Sequence, residues 1–251
     1  MKNNHPVLKN KRALVTGGSR GIGAAIVRRL AEAGAEVAFT YVSSPTQAEA
    51  LVASVRASGG RAVAIQADSA DAKALTAAVE RAAAELGGLD ILVNNAGVFL
   101  MGAVDTFSLA DFDRTIAVNV RAVFVATQAA LRHLTTGGRI INIGSCNADR
   151  MPVAGGGVYA MSKSALQGLV QGLARDLGPR GITINNVQPG PVDTDMNPAS
   201  SDFAAILIKQ FLAVPRYGTG AEIAEFVTFL AGPHAGYITG AHLTIDGGFS
   251  A

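Results

Sequence analysis

The chain has 251 residues, 49% of them hydrophobic and 16% charged, which is ample apolar material for one large α/β core. A formal net charge of +2 gives no basic footprint for nucleic acid; the nearest basic cluster, Lys9, Lys11 and Arg12, reads as the solvated entry to a strand. One cysteine, Cys146, excludes an internal disulfide framework and a cysteine-based zinc site, no run approaches the ~18 apolar residues of a membrane span, and the polar start, residues 1–11, has no signal core, so a cytoplasmic protein without nucleic-acid or membrane partners is expected.

Residues 12–16 (RALVT) are a short apolar run that ends in Gly-rich sequence and read as a buried strand. Apolar residues then recur at helical spacing over 22–33, up to Gly34, a natural helix stop. Residues 37–42 read as a second strand, 46–58 as a helix closed by Gly59-Gly60, 62–66 as a third strand, 70–86 as a helix and 89–94 as a fourth strand. Helical material fills 109–134, and 139–144 is a strand. Residues 159–177 form a long helix stopped by Gly178-Pro179, 182–188 a strand, 221–231 a helix and 242–245 a last short strand. Residues 193–214 are the least regular and lie where a lid is expected. Strands alternating with helices imply βαβ units and a parallel sheet covered on both faces. The expected architecture is a doubly wound, Rossmann-type α/β fold in one domain over 1–251, with a small substrate loop near 190–215 and ligands at the carboxyl ends of the strands.

The first strand meets the first helix through Thr16-Gly17-Gly18-Ser19-Arg20-Gly21-Ile22-Gly23. Such glycines let a backbone turn sharply against a pyrophosphate, and the helix start offers free N–H groups and a positive dipole end. By itself a Gly-rich turn is also a plain tight connection. After the first strand of a βαβ unit it points to a dinucleotide.

Thr16–Gly23 resembles the TGxxxGxG signature of the short-chain dehydrogenase/reductase family. Asn94-Asn95-Ala96-Gly97 follows the fourth strand as that family's NNAG does, and Pro189-Gly190 follows the sixth as its PG motif does. Asn119, Ser145 and Tyr159-x-x-x-Lys163 match its catalytic tetrad in order and spacing. Residues 143–151, 165–184 and 188–195 are similar to bacterial members, among them ones labelled 3-oxoacyl-[acyl-carrier-protein] reductase and one labelled as cyclic-di-GMP-binding. The resemblance implies an NADP(H)-dependent ketone or aldehyde reductase, reversible as an alcohol dehydrogenase. The alternative is a nucleotide-binding regulatory protein on the same fold, although a pure sensor has no physical need for Tyr159 with Lys163.

Tyr159 and Lys163 are four apart in a helical segment and so share a face. A free tyrosine ionises at ~10. A nearby ammonium is expected to lower that value, so that the phenol can give a proton to a carbonyl oxygen and take it back in the reverse direction. Ser145, read as the end of the fifth strand, can hydrogen-bond the substrate oxygen; the plain alternative is a turn serine. Asn119 sits in a helical stretch where asparagine is poor. The resemblance gives it a contact that continues a proton relay through Lys163, against an amide satisfied by its own backbone. The interval from Ser145 to Tyr159 is one residue longer than the commonest family spacing, and the flexible Gly155-Gly156-Gly157 absorbs it. Cys146 is expected to be a plain pocket or core residue, since none of His5, His133, His234 or His242 is placed near it as a base, and the histidines show no metal-ligand spacing.

For the cofactor, the resemblance implies contacts from Gly17, Ser19, Arg20, Gly21, Ile22 and Gly23 in the turn. It brings Asp68 and Ser69 to the adenine, with a helix N-cap as their other reading. It places Asn94, Asn95, Ala96 and Gly97 on the ribose side, and Ile143, Tyr159, Lys163, Pro189, Gly190, Val192 and Thr194 around the nicotinamide. NAD-binding relatives of this fold carry an acid at the end of the second strand. Residues 37–44, from Val37 through Tyr41 to Ser43 and Ser44, contain none, and the first acid afterwards is Glu49. Arg20 supplies a cation for a 2′-phosphate and Ser43 or Ser44 a hydroxyl, which gives NADP(H). Arg150, Met151, Val153, Met196 and Phe203 are candidates for the substrate pocket. A small-residue and apolar outer side on the long helix (Ala165, Leu166, Leu169, Val170, Leu173) and a tail (residues 243–249, LTIDGGF) similar to tails that pack across subunits predict a homotetramer of D2 symmetry.

Overall fold

The computed structural model describes residues 6–251, so His5 and the first residues of the polar start lie outside it. Seven parallel strands form one sheet in the order β3-β2-β1-β4-β5-β6-β7. They are β1 (Arg12–Val15), β2 (Glu36–Tyr41), β3 (Arg61–Gln66), β4 (Ile91–Asn94), β5 (Arg139–Ile143), β6 (Thr183–Pro189) and β7 (His242–Ile245). The helices are α1 (Gly21–Glu32), α2 (Pro45–Ala57), α3 (Ala72–Leu86), α4 (Leu109–Ile116), α5 (Ala122–Ala130), α6 (Gly157–Leu177), α7 (Asp202–Gln210) and α8 (Gly220–Ala231). None is long and apolar enough to cross a membrane among the described residues.

Strand residues alternate between two cores, as a period of two requires. Ala13, Val15, Val37, Phe39, Ile91, Val93, Ile141 and Ile143 pack against α1, α2 and α8. Leu14, Ala38, Leu92, Ile140 and Ile184 face α3, α5 and α6. Both faces are covered, so the strands read as continuous apolar runs rather than alternating ones. The chain leaves β1 toward β2 and β3 on one side and returns to β4 on the other. That reversal opens a crevice at the carboxyl ends of β1 and β4, where the motif residues gather.

Three local features differ from the sequence expectation. Residues 193–214 hold the helix α7, with Ser201 accepting from the Ala204 N–H as its N-cap and Ala204 and Leu207 buried. The helical stretch from 109 is interrupted by a π turn over Ala117–Arg121, and α5 ends at Ala130. On α6, Leu166 and Val170 are not on an outer side: they are fully buried, Leu173 and Ala174 pack partly on the same core, and the exposed stripe is Met161, Ala165, Gly168 and Gly172. The 3.6-residue period that turns Lys163 inward turns Leu166 and Val170 inward with it. The tail also packs on its own chain, Leu243 and Ile245 against the first core and Phe249 in a small cluster with Cys146, Ala204, Leu207 and Tyr217.

Candidate active site

The glycine turn is stitched to its neighbours by backbone groups. Gly18 N donates to Thr40 O at 2.8 Å and Gly17 N to Thr40 Oγ1 at 3.0 Å. Thr16 Oγ1 accepts from the N–H groups of Asn95 and Ala96 at 3.0 and 3.1 Å, while Asn95 Nδ2 donates to the carbonyls of Thr16 and Gly17 at 3.0 and 2.9 Å. Gly23 is required by this approach: a Cβ there would lie 2.3 Å from Gly17 O and 2.5 Å from Asn95 Nδ2. The N-cap of α1, Arg20, makes no side-chain cap bond, and the first turn carries no acid. The opening N–H groups of the helix therefore have no intrahelical acceptor and no competing carboxylate, the donor set a pyrophosphate fits. Arg20 is exposed and makes no ion pair with another described residue.

A cleft of about 420 Å³ runs from this turn across the carboxyl ends of the strands. Gly17, Ser19, Arg20, Gly21, Ile22, Gly23, Tyr41, Ser43, Ser44, Asp68, Ser69, Asn95, Ala96 and Gly97 line it, as do Ile143, Ser145, Tyr159, Lys163, Pro189, Gly190, Val192 and Thr194. Met151, Val153, Met196 and Phe203 line it as well. Three residues read from the sequence are elsewhere. Asn94 is buried beneath the cleft, where its Nδ2 donates to Asn142 Oδ1 at 2.9 Å across the β4–β5 pair, so it is a core amide and not a ribose contact. Arg150 turns toward the tail. Asn119 lies behind the wall of the cleft. Asp68 lines the cleft but does not cap α3; its Oδ1 accepts from Ala70 N, and Asp71 is the cap. Lining residues the sequence did not single out include Phe99, Arg114, Val118, Asn147, Leu207 and Phe249. Val118 and Arg114 share a helical spacing with Asn119's neighbourhood, a signal hidden by the π turn; Phe249 had no positional signal beyond an apolar tail.

Ser145 lies just past β5, which ends at Ile143, and its Oγ accepts from Asn147 N at 3.1 Å as the cap of a short 3-10 turn, Cys146–Ala148. Ser164 Oγ, on α6, donates to Ala148 O at 2.7 Å and ties this turn to the helix that carries Tyr159 and Lys163. In the connection before α6, Gly155 has φ +84°, a conformation that favours glycine, and the Cβ position of Gly156 lies 2.4 Å from the Met151 methyl.

Lys163 is buried, and its Nζ donates to Ile143 O at 2.9 Å. Burial pulls its ammonium down to about 8. Nζ lies 5.8 Å from the centroid of the Tyr159 ring. Burial dominates at Tyr159 too, pushing the phenol up to about 12, with the nearby Ser145 hydroxyl opposing it. The expected lowering by Lys163 is therefore not what the protein's own groups produce, because desolvation penalises the phenolate and outweighs the groups that favour it. The phenol is held protonated at neutral pH. The edge of Phe99 meets the Tyr159 ring at 4.7 Å and 78°, fixing its plane.

Asn119 sits in the π turn, an irregularity found often at functional sites. Its Oδ1 accepts from Val98 N at 2.9 Å, and its Nδ2 donates to Val98 O at 3.0 Å and Ser162 Oγ at 3.0 Å. It joins the loop after β4 to α6, so it is neither self-satisfied nor in side-chain contact with Lys163. Gly97 lies between the two, its Cβ position 3.5 Å from both Asn119 Oδ1 and Lys163 Nζ. Cys146 is buried, and burial pushes its thiol up to about 12, far from a nucleophilic thiolate.

The chain matches known proteins over most of its length. A family model described as enoyl-(acyl carrier protein) reductase matches residues 17–250. The chain is 50% identical over 241 residues to the cyclic-di-GMP-binding biofilm dispersal mediator protein of Escherichia coli (strain K12), covering 96% of this chain and 98% of that one. It superposes on a short-chain dehydrogenase/reductase from Serratia marcescens BCRC 10948 with a TM-score of 0.96 and 63% identity, covering 98% and 100% of the two chains. A short-chain dehydrogenase from Burkholderia cenocepacia J2315, solved in complex with NADP, matches at 57% identity and a TM-score of 0.96 over the same shares.

Proposed function

The chain belongs to the short-chain dehydrogenase/reductase family, and we propose that it is an NADPH-dependent carbonyl reductase. The observation that carries this reading is the convergence of Ser145, Tyr159 and Lys163 on one cleft with an uncapped, acid-free helix N-terminus at its other part. Gly17 to Gly23 would hold the pyrophosphate, Arg20 with Ser43 or Ser44 the 2′-phosphate, Asp68 and Ser69 the adenine, and Ile143, Pro189, Val192 and Thr194 the nicotinamide. Bound NADPH would supply the hydride. Ser145 hydrogen-bonds the substrate oxygen, and Tyr159, held protonated, gives that oxygen its proton. Lys163 supplies positive charge as the phenol becomes anionic, while Asn119 fixes the wall from which Lys163 reaches in. Phe99, Met151, Val153, Phe203 and Leu207 give the lining an apolar stretch beside the polar Arg114, Asn147, Asp195 and Asn197, which suits a ketone or diketone with an apolar substituent.

The test is NADPH oxidation with butanone, 1-phenyl-1-propanone, a diketone, a 3-oxoacyl thioester and a 2-enoyl thioester. Turnover of one or more carbonyl compounds is expected; turnover of the enoyl thioester alone, or of none, removes the proposal. The name of the Escherichia coli relative raises a second reading, a cyclic-di-GMP-binding regulator. Calorimetry with cyclic-di-GMP, run beside the same panel, separates the two.

The pH profile of reduction has a defined sign. Tyr159 stays protonated up to about 12, so it does not limit the reaction at moderate pH. Lys163 loses its charge as pH rises through about 8. kcat/KM is expected to be flat below that value and to fall above it. Lys163→Arg, which keeps its charge, should carry the plateau to higher pH even if the maximum is lower. A limb that does not move between the two proteins assigns it to another group.

The exposed stripe Met161, Ala165, Gly168 and Gly172 on α6, with Phe124 at 46% exposure on α5, suits close helix packing between copies. We propose the D2 homotetramer on that basis. Light scattering at micromolar concentration should give four chain masses, and a monomer mass would remove it.

A further inference from the structure

Arg150 does not line the cleft, yet it is tied to what does. It leaves the turn that begins at Ser145, and its Nη1 donates to Phe249 O at 3.1 Å and to Ala251 O at 3.3 Å. Its guanidinium carbon lies 5.7 Å from the centroid of the Phe211 ring, just past the end of α7, and that ring is 5.9 Å from Phe249. Phe249 is 3% exposed, lines the cleft and packs on Leu207 of α7. One side chain thus meets three segments far apart in sequence: the catalytic-side turn, the end of α7 and the tail. Arg150 makes no ion pair with an Asp or Glu side chain among the described residues.

The base from which Arg150 reaches is rigid. Its neighbour Asp149 accepts from Gln167 Nε2 of α6 at 2.6 Å, and from Nε2 of the fully buried Gln188 on β6. The tail is braced locally by Asp246, whose two carboxylate oxygens accept from Gly248 N at 2.9 Å and Ser250 N at 2.8 Å. Among the described residues, the side-chain hydrogen bonds joining the tail to the Ser145 turn are those of Arg150.

We propose that Arg150 is a positioning residue for substrate selectivity: it holds Phe249 and the end of α7 against the Ser145 turn as the outer wall of the cleft, and so favours carbonyl compounds with a flat, apolar substituent that packs on that wall. This rests on the reading that the apolar part of the cleft takes the substrate. Lysine is not expected to replace it, since an ammonium lacks the planar face that lies over the Phe211 ring.

The chain has no tryptophan, so Phe249→Trp introduces a single emitter at the wall. With Arg150 present, its emission should be blue-shifted and shielded from acrylamide; adding Arg150→Gln should red-shift it and raise quenching several-fold. In proteins that keep Phe249, Arg150→Gln should raise KM for 1-phenyl-1-propanone about tenfold relative to KM for butanone, the scale on which apolar contacts discriminate. KM for NADPH and kcat on butanone should hold. Amide exchange of residues 246–251 in Arg150→Gln should speed up while that of β1 and β4 does not, which covers the case where the tryptophan variant fails to fold. Unchanged exchange in the tail, unchanged emission, or an equal change in both KM values overturns the clamp. If no ketone is turned over by any form, the function proposed above falls, and the emission and exchange measurements still decide whether Arg150 holds the wall.

Discussion

Tyr159→Phe is expected to lower turnover of carbonyl reduction by at least ~10²–10⁴-fold, the usual worth of a positioned general acid. The substitution removes only the hydroxyl. The ring keeps its edge contact with Phe99, and the Tyr159 carbonyl keeps its bond from Ser162 Oγ at 2.7 Å, so α6 retains its local geometry. NADPH binding, followed by the change in its fluorescence on titration, should stay within a few-fold. A Ser145→Ala variant should also lose rate, and the double variant should lose less than the product of the two, because both groups act on one oxygen. Steady-state kinetics of the three proteins on the best ketone of the panel check this. A Tyr159→Phe protein that reduces ketones at the wild-type rate shows that the proton comes from elsewhere.

That expectation begins from residues spaced four apart in the sequence, and the spacing did its part because a long helix preserves it. Strand runs such as RALVT and stops such as Gly34 and Gly178 are equally legible, since both faces of the sheet are covered and a glycine follows each of these runs. Features that depend on contact were not. The π turn around Asn119 has the composition of an ordinary helix, and what marks it is the pairing of one amide with both backbone groups of Val98. Asn94 and Asn95 are adjacent and alike, yet strand alternation sends the first into the core, beside Asn142, and leaves the second to hold the glycine turn. Helix α7 did carry a signal: Ser201-Asp202 followed by Ala204, Leu207, Ile208 and Phe211 at helical spacing. The neighbouring Pro198 and serines masked it. On α6 the apolar residues were visible but their direction was not, because the inward face is set by where Lys163 must reach. The tyrosine's ionisation differs from the expectation for a similar reason: spacing gives the partner's identity, whereas desolvation, the larger effect, appears only in the folded environment of the ring.

Cofactor preference rests on the end of β2 and on Arg20, and a double change there is expected to reverse it. β2 ends at Tyr41, and Val42, Ser43 and Ser44 continue along the cleft without a carboxylate. An acid at this place accepts from the ribose 2′-OH of NAD and repels a 2′-phosphate. Arg20 lines the same cleft, is exposed, and has no carboxylate partner among the described residues that would hold it back. Arg20→Ala removes a charge-assisted hydrogen bond to the phosphate, an effect of ~1.5–3 kcal/mol, or about tenfold to a hundredfold in affinity. Tyr41→Asp adds repulsion against the phosphate and an acceptor for the bare hydroxyl. The two changes act on the same phosphate, so their effects are not simply additive. Arg20→Ala alone should weaken NADPH and leave NADH nearly unchanged, because NADH presents no phosphate to lose. The double variant should prefer NADH, with its ratio of kcat/KM values moved by more than about a hundredfold from that of the unmodified protein. Neither site chain touches Ser145, Tyr159 or Lys163, so kcat at saturating cofactor should hold within a few-fold. The unmodified protein should show a higher kcat/KM with NADPH than with NADH. The opposite order would mean that Arg20 is a solvated loop charge and that the missing acid at the end of β2 creates no phosphate site.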